Sequence, residues 1–157
     1  MHNLGSLYGG ESVALAINDN GVVTGIEMAK QGYVTWYFDG ELHDLETINS
    51  YNIFARGINN KNNIVRDLST NTDMRAFLYD GTIHDINELL LPDSGWSVMQ
   101  AFGINDSGQI AAYGWKNGEG HALLLNPVDM PTVPEPSTFL LLGAGLGGLA
   151  LWRGKRS

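Results

Sequence analysis

The sequence predicts an all-β domain of about three four-stranded meander repeats, a partial β-propeller-like array, followed by a single C-terminal transmembrane helix. Three observations support this prediction. A polar turn sequence recurs about every forty residues, aromatic and β-branched runs separate its copies, and an uncharged apolar run lies near the C-terminus. The predicted units are a β-repeat domain (1–127), a proline-containing linker (128–136), a transmembrane helix (137–152) and a basic cytoplasmic tail (153–157).

The internal repetition is clearest in an Ile-Asn pair that begins each polar turn. Asn18 recurs as Asn59 after 41 positions and as Asn105 after a further 46. A second sequence, Asp-Gly-x-x-His-Asp, begins at Asp39 and returns 41 positions later at Asp80. Such self-similarity at a nearly fixed period is typical of repeat architectures. The predicted repeats are about 12–48, 53–90 and 97–127.

The first residues of the chain resemble the close of a repeat. His2-Asn3-Leu4 lies 41 positions before His43-Asp44-Leu45. Residues 2–7 are therefore assigned to the end of a preceding repeat, and the chain is expected to be a fragment of a longer protein. The N-terminus also lacks the basic and apolar regions of a secretory signal peptide.

Each repeat is predicted to contain short strands joined by tight turns. Asn18–Gly21 suits a type I turn followed by a residue in the left-handed region, where glycine and asparagine are best tolerated. Four short strands in about forty residues is the dimension of a propeller blade. Three copies cannot close a propeller, so a curved or flattened meander is expected, with a short helical turn at 89–92. The predicted structural turn residues are Asn18, Gly21, Asn59, Asn62, Asn105 and Gly108.

The C-terminal segment has the order of a membrane anchor. The uncharged run from Pro136 to Trp152 would span roughly 26 Å as a helix, close to the hydrocarbon thickness of roughly 30 Å. Arg153, Lys155 and Arg156 follow it, and basic residues favour the cytoplasmic side. This asymmetry predicts that the domain lies in the periplasm. A buried C-terminal helix of a soluble protein is the alternative.

A glycine-rich pattern inside the apolar run does not indicate a nucleotide site. Residues 143–148 satisfy G-x-G-x-x-G, but a dinucleotide site needs a βαβ unit and an acidic residue about 20 positions later. No acidic residue follows Gly148. Gly143 and Gly147 could instead allow two membrane helices to approach closely. Alternatively, the glycines could adapt the segment for recognition or cleavage.

Composition limits the possible partners and chemistry. The chain has 17 acidic and 9 basic residues and a net charge of −8, and three of the basic residues lie in the last five positions. So acidic a domain is a poor partner for nucleic acid, whose phosphates need a basic surface. No cysteine is present, which excludes disulfides and thiolate metal sites.

No catalytic, metal or cofactor site is predicted. His43 and His84 each precede an aspartate, but they occupy equivalent positions of successive repeats and should lie too far apart to share an ion. The Asn and Asp residues of the turns could offer oxygens to calcium, yet Asx side chains bonded to their own turns explain them without a metal. No G-x-S-x-G elbow is present. Four aromatic residues could stack on sugars if they are exposed, but most of them are better explained as core between strands: Tyr33, Trp36, Trp96 and Trp115.

Residues 2–127 resemble the HAF-type extracellular repeat, whose copies read D-L-G-x-L-G-G-x-S-x-A-x-x-I-N-D-x-G-x-V-x-G and end in H-A-F-L-Y. Residues 3–14 match the opening, 17–25 match the middle, and 75–79 and 121–125 are imperfect copies of the close. The resemblance implies an extracellular location and a repeat fold, with no assigned chemistry.

The C-terminal segment resembles the PEP-CTERM sorting signal of Gram-negative bacteria. The motif comprises Val133, Pro134, Glu135, Pro136 and Ser137, followed by the apolar run and by the basic tail of Arg153, Lys155 and Arg156. The resemblance implies processing by an exosortase. The expected path is anchoring in the inner membrane with the bulk of the chain in the periplasm, then display at the cell surface or release.

The sequence therefore predicts a non-catalytic exported repeat protein with a structural or binding role. Its expected partners are the membrane, an exosortase-type enzyme and, as a candidate ligand, an extracellular polysaccharide. The alternative is a fragment of a secreted carbohydrate-active enzyme whose catalytic part is missing.

Overall fold

The computed structural model describes residues 1–30, 32–45, 52–69 and 73–128. These ranges consist almost entirely of strands and turns, which confirms the predicted all-β class. The predicted transmembrane helix at 137–152 and the basic tail lie outside the described residues. Within the described ranges, no helix is long and apolar enough to cross a membrane.

Three antiparallel sheets follow one another along the chain, and in each sheet the strands pair in sequence order. The first sheet contains β1 (Glu11–Ile17), β2 (Val23–Ala29), β3 (Gly32–Phe38) and β4 (Leu42–Asp44). The second sheet contains β5 (Asn52–Ile58), β6 (Ile64–Ser69), β7 (Met74–Tyr79) and β8 (Ile83–Asp85). The third sheet contains β9 (Ser97–Ile104), β10 (Ile110–Lys116) and β11 (Glu119–Leu125).

The third sheet therefore has three strands among the described residues, where the sequence predicted four. After β11 the chain continues into Asn126 and Pro127. Proline has no backbone N–H to donate to a neighbouring strand, so the sequence there does not favour a further strand.

The first strand of each sheet carries an irregularity at the same relative position. The register shifts between Ala14 and Ala16 in β1 and between Ala55 and Gly57 in β5. In β9, Ala101 and Gly103 pair with successive residues of β10, which leaves Phe102 as the extra residue. A bulge increases the local twist and redirects the side chains beyond it. The first strand of every sheet is therefore bent at one comparable point.

The short helical segment lies earlier than the sequence suggested. A 3-10 helix spans Ile86–Leu89, whereas the leucine run at 89–92 was expected to be helical. Asp85 begins the helix because its carboxylate accepts a hydrogen bond from the backbone N–H of Asn87 at 2.8 Å. Leu90, the residue that follows the helix, is extended.

Successive sheets pack through the first strand of the later one. Strand β5 contacts β1, β2 and β3, and β9 contacts β5, β6 and β7. One buried apolar cluster joins the first and second sheets, and another joins the second and third sheets. The first cluster contains Val22, Leu45, Ala55, Ile58 and Ile64. The second contains Val65, Ala76, Ile86, Val98, Ala101, Ile110 and Ala112. All these residues belong to one compact unit, Met1–Pro127.

Candidate functional site

The three turns that follow β1, β5 and β9 have the same backbone geometry. The N–H of the fourth residue donates to the carbonyl of the first in each turn, and the fourth residue has positive φ. The bonds are Gly21 N to Asn18 O (3.1 Å), Asn62 N to Asn59 O (3.0 Å) and Gly108 N to Asn105 O (3.0 Å). The φ angles of Gly21, Asn62 and Gly108 are 80°, 63° and 78°.

The first asparagine of each turn also bonds to its own turn through its side chain. Asn18 Oδ1 accepts from the N–H groups of Asn20 (3.1 Å) and Val22 (2.9 Å). Asn59 Oδ1 accepts from Lys61 and Asn63, and Asn105 Oδ1 accepts from Gln109. These are Asx-turn hydrogen bonds, so the turns need no metal to explain their asparagines.

The same asparagines connect one turn to the next. Asn18 Nδ2 donates to the carbonyl of Asn59 at 2.9 Å, and Asn59 Nδ2 donates to the carbonyl of Asn105 at 3.0 Å. Asn18 is 9% exposed and Asn59 is 3% exposed. Buried amides of this kind must be hydrogen-bonded to be tolerated. In each of these amides, the oxygen accepts from N–H groups of its own turn, and the nitrogen donates to the turn of the next sheet.

The second residues of the turns extend this connection at the surface. Asp19 N–H donates to Asn60 Oδ1, and Asn60 N–H donates to Asp106 Oδ1, both at 2.8 Å. Asn60 Nδ2 donates to both aspartates, and Asn20 Nδ2 donates to the carbonyl of Asn60. We call the residues 18–20, 59–60 and 105–106 the asparagine ladder. It joins all three sheets at the turns between their first two strands.

The ladder has a direction. In each step, side-chain amides and a backbone N–H of the earlier turn donate to oxygens of the later turn, and one further bond, from Asn60 Nδ2 to Asp19 Oδ2, runs the opposite way. At the third turn, Asn105 Nδ2 bonds instead to Gln109 Oε1 of its own sheet at 2.8 Å. At the first turn, the Asn18 carbonyl and the Asp19 carboxylate are the groups that would accept from an earlier turn. The ladder is therefore open at both ends within the described residues.

His43 and His84 lie in separate hairpins, each paired with the aspartate four residues before it. His43 Nε2 is 2.9 Å from Asp39 Oδ1, and His84 Nε2 is 3.0 Å from Asp80 Oδ1. The hydrogen bond from His43 holds the pKa of Asp39 below its ordinary value. Among the described residues, no group of three or more histidine and acidic side chains could hold a metal ion.

The N-terminal segment is held on the first sheet by a buried carboxylate that the sequence did not single out. Glu27 is fully buried and accepts hydrogen bonds from the N–H groups of Leu7 (2.6 Å), Tyr8 (2.9 Å) and Gly10 (2.8 Å). Burial by itself raises the pKa of Glu27, but these three bonds outweigh it and the pKa is lowered. A carboxylate with three N–H donors is well matched to an ionised state.

A cavity of about 420 Å³ lies beside this segment. Its lining comprises His2, Asn3, Leu4, Gly5, Ser6, Gly10, Ser12, Ala14 and Trp36. Trp36 is only 1% exposed, and its indole N–H has no hydrogen-bond partner among the residues that the structure describes. The interpretation of Trp36 as core therefore holds. Trp115, in contrast, is 41% exposed on the third sheet, where core packing was expected.

Arg66 is a second buried charge that the sequence did not indicate. It is fully buried in β6, and its Nη1 donates to the carbonyl of Leu45 at 3.0 Å. Burial lowers its pKa to about 10. Because Leu45 follows β4, this hydrogen bond connects the first and second sheets away from the turns. Glu27 and Arg66 thus each bond a strand to a segment outside it: Glu27 to the N-terminal segment and Arg66 to the residue after β4.

Comparison with known proteins identifies the C-terminal segment. Residues 132–156 match the model of the PEP-CTERM protein-sorting motif. This motif implies export, processing by an exosortase-type enzyme and a location in the cell envelope or at the cell surface. The predicted motif residues Val133 to Ser137 and the basic residues Arg153, Lys155 and Arg156 lie within the match but outside the described residues. Searches of curated proteins and of solved structures found no match to the chain.

Proposed function

We propose that this chain is a non-catalytic surface protein: an exosortase-type enzyme processes its C-terminal segment, and the β domain then acts as a structural or binding module. The sorting-motif match at residues 132–156 carries the first part of the proposal. The anchor is a helix over 137–152 in the inner membrane, with the domain in the periplasm before processing.

The second part rests on how the polar groups of the domain are used. The least exposed asparagines, Asn18 and Asn59, bind neighbouring turns, and the buried Glu27 binds the N-terminal segment. His43 and His84 bind aspartates of their own hairpins. These groups form structural contacts between parts of the fold. An array of HAF-type repeats, stacked as propeller-like blades, accounts for the equivalent turns, bulges and interfaces.

The sorting proposal is tested by expressing the full chain, with a signal peptide supplied, in a host that carries an exosortase. The Glu135→Ala variant should insert normally but remain unprocessed. The Arg153→Glu, Lys155→Glu, Arg156→Glu triple variant should lose both orientation and processing, because basic residues hold that end at the cytoplasmic side. Chain size and membrane association are the measurements.

Two controls separate sorting from simple anchoring. The parent chain in the same host without its exosortase should stay at full length in the membrane. A reporter fused after Ser157 should report the cytoplasm before processing. If both variants mature like the parent, the C-terminal segment is an ordinary anchor and the sorting proposal fails.

A further inference from the structure

The outer face of the third sheet presents exposed apolar side chains. Phe102, Trp115 and Leu124 are 48%, 41% and 62% exposed. By strand register, Trp115 and Leu124 point away from Ala112 and Leu123, which pack toward the second sheet. Large apolar side chains gathered on one face are typical of an interaction surface.

The first strand of the chain presents the complementary surface. In β5, Ala55 and Ile58 are 0% and 8% exposed because they pack in the cluster joining the first two sheets. In β9, Ala101 is likewise fully buried against the second sheet. The corresponding residues of β1 are Ala14 and Ile17, which are exposed, Ile17 to 67%. Strand β1 therefore has the residues that pack onto an earlier sheet, but none of the three sheets of the described residues covers it.

The N-terminal segment fits this arrangement. Leu45 and Ile86 follow β4 and β8 directly, and each is buried in a cluster that joins two sheets. Leu4 lies 41 positions before Leu45 and lines the cavity beside β1. The cavity thus lies where the next sheet-to-sheet contact would form, and Leu4 occupies the place of Leu45 in it.

The open ends of the asparagine ladder match each other. At the third turn, the Nδ2 of Asn105 and the N–H of Asp106 correspond to groups that donate in the two steps within the chain. At the first turn, the Asn18 carbonyl and Asp19 carboxylate correspond to the groups that accept. The third turn thus carries the groups that donate in the internal steps and the first turn carries the groups that accept, and docking would exchange the bond of Asn105 Nδ2 to Gln109 Oε1 for one to the other copy.

From these surfaces we infer that a second copy of this chain docks head to tail, with β1 of one copy packed on the outer face of the third sheet of the other and the ladder continued across the contact. Such an interface joins different surfaces of the two copies, so it closes into a ring or continues as a filament. Two copies joined at both ends bring together six sheets, twice the three of one chain. That exceeds the minimum of about four blades in a closed propeller.

Crosslinking of the full chain tests this inference, because the chain contains no cysteine of its own. Within the chain, Asn20 Nδ2 reaches the carbonyl of Asn60 at 2.9 Å. Ser107 occupies the place of Asn20 in the third turn, and Asp19 occupies the place of Asn60 in the first. Ser107→Cys in one copy should therefore lie beside Asp19→Cys in another.

The two single-cysteine chains are purified in detergent micelles, treated with a short bismaleimide alone and as an equimolar mixture, and analysed by denaturing electrophoresis. Head-to-tail docking predicts a strong covalent dimer in the mixture and only background in either variant alone. Mass spectrometry should locate the link between positions 107 and 19. Absence of this link in the mixture, or efficient linking of the Ser107→Cys chain to itself, overturns the inference.

A pair of surface variants tests whether the apolar face carries the contact. Phe102→Asp, added to the Ser107→Cys chain, should abolish crosslinking in the mixture. Leu89→Asp is the matched control, since Leu89 is 53% exposed and belongs to the 3-10 helix, not to β1 or to a strand of the third sheet. Equal crosslinking by the two variants would show that the third-sheet face is not the docking surface.

Discussion

Replacing Asn59 by aspartate should destabilise the domain far more than the same replacement of Asn105. Aspartate keeps the Oδ1 oxygen that accepts from Lys61 and Asn63. It replaces the Nδ2 donor with an oxygen, 3.0 Å from the carbonyl of Asn105. Asn59 is 3% exposed, so water cannot readily compensate.

The size of this destabilisation follows from the lost hydrogen bond and from the polar groups left without partners. A neutral hydrogen bond contributes about 1 kcal/mol, and a buried polar group left unsatisfied costs about 1–3 kcal/mol. The repulsion between two oxygens adds to this, whereas the N–H donors of the turn partly stabilise the carboxylate. The free energy of unfolding should therefore fall by about 2–4 kcal/mol. For a domain of this size, the melting temperature should fall by on the order of 10 °C.

Asn105→Asp is the matched control at the end of the ladder. Asn105 is exposed, and its Nδ2 bonds only to Gln109 Oε1. Its replacement should cost at most about 1 kcal/mol. Urea denaturation of residues 1–128, followed by tryptophan fluorescence, measures both variants. Equal losses in the two variants would show that the contact between turns contributes nothing beyond each turn's own geometry.

Three further changes test other parts of the structure. Gly21→Val should destabilise the domain by roughly 1–2 kcal/mol in chemical denaturation, because a β-branched residue resists φ of 80° although no atom lies within 4 Å of the new Cβ; unchanged stability would contradict the turn assignment. Because the folded-state pKa of Glu27 is depressed, its stabilising effect is present above its ordinary pKa of 4.5 and is lost as pH falls through the lower folded-state value. Glu27→Gln should flatten that acid dependence of the melting temperature, whereas Glu11→Gln, an exposed change on β1, should leave it as in the parent. Millimolar calcium should not raise the melting temperature, because turn oxygens already accept hydrogen bonds; a clear upward shift would establish calcium binding to the native state.

The sequence carries enough information for the fold class and for the local form of the turns. Alternating aromatic and β-branched runs between Asn-rich turns indicate strands, and the structure is all-β. The position of positive φ at Gly21, Asn62 and Gly108 follows from the turn pattern itself, since glycine and asparagine best tolerate it. Information of this kind is local, because each turn is encoded within four residues.

The contacts between sheets could not be obtained in the same way. The spacing of Asn18, Asn59 and Asn105 shows that they are equivalent, but equivalence does not determine whether equivalent residues touch. His43 and His84 illustrate this, because they are also equivalent and each pairs with an aspartate of its own hairpin. Glu27 reads as a solvent-facing residue of a strand, and only the position of the N-terminal segment explains its burial. Such contacts depend on long-range packing.

The asparagine ladder also has a consequence for how the protein ages chemically outside the cell. Asn20 precedes Gly21, and an asparagine followed by glycine is the sequence most prone to deamidation, because the unhindered glycine nitrogen attacks the side-chain amide. In the folded turn that nitrogen donates its hydrogen to the Asn18 carbonyl, and the Asn20 amide donates to the carbonyl of Asn60. Both reacting groups are held in place by the ladder. Asn117 also precedes a glycine, in the exposed turn between β10 and β11 and outside the ladder. Deamidation should therefore accumulate first at Asn117, and its appearance at Asn20 would record how often the ladder opens.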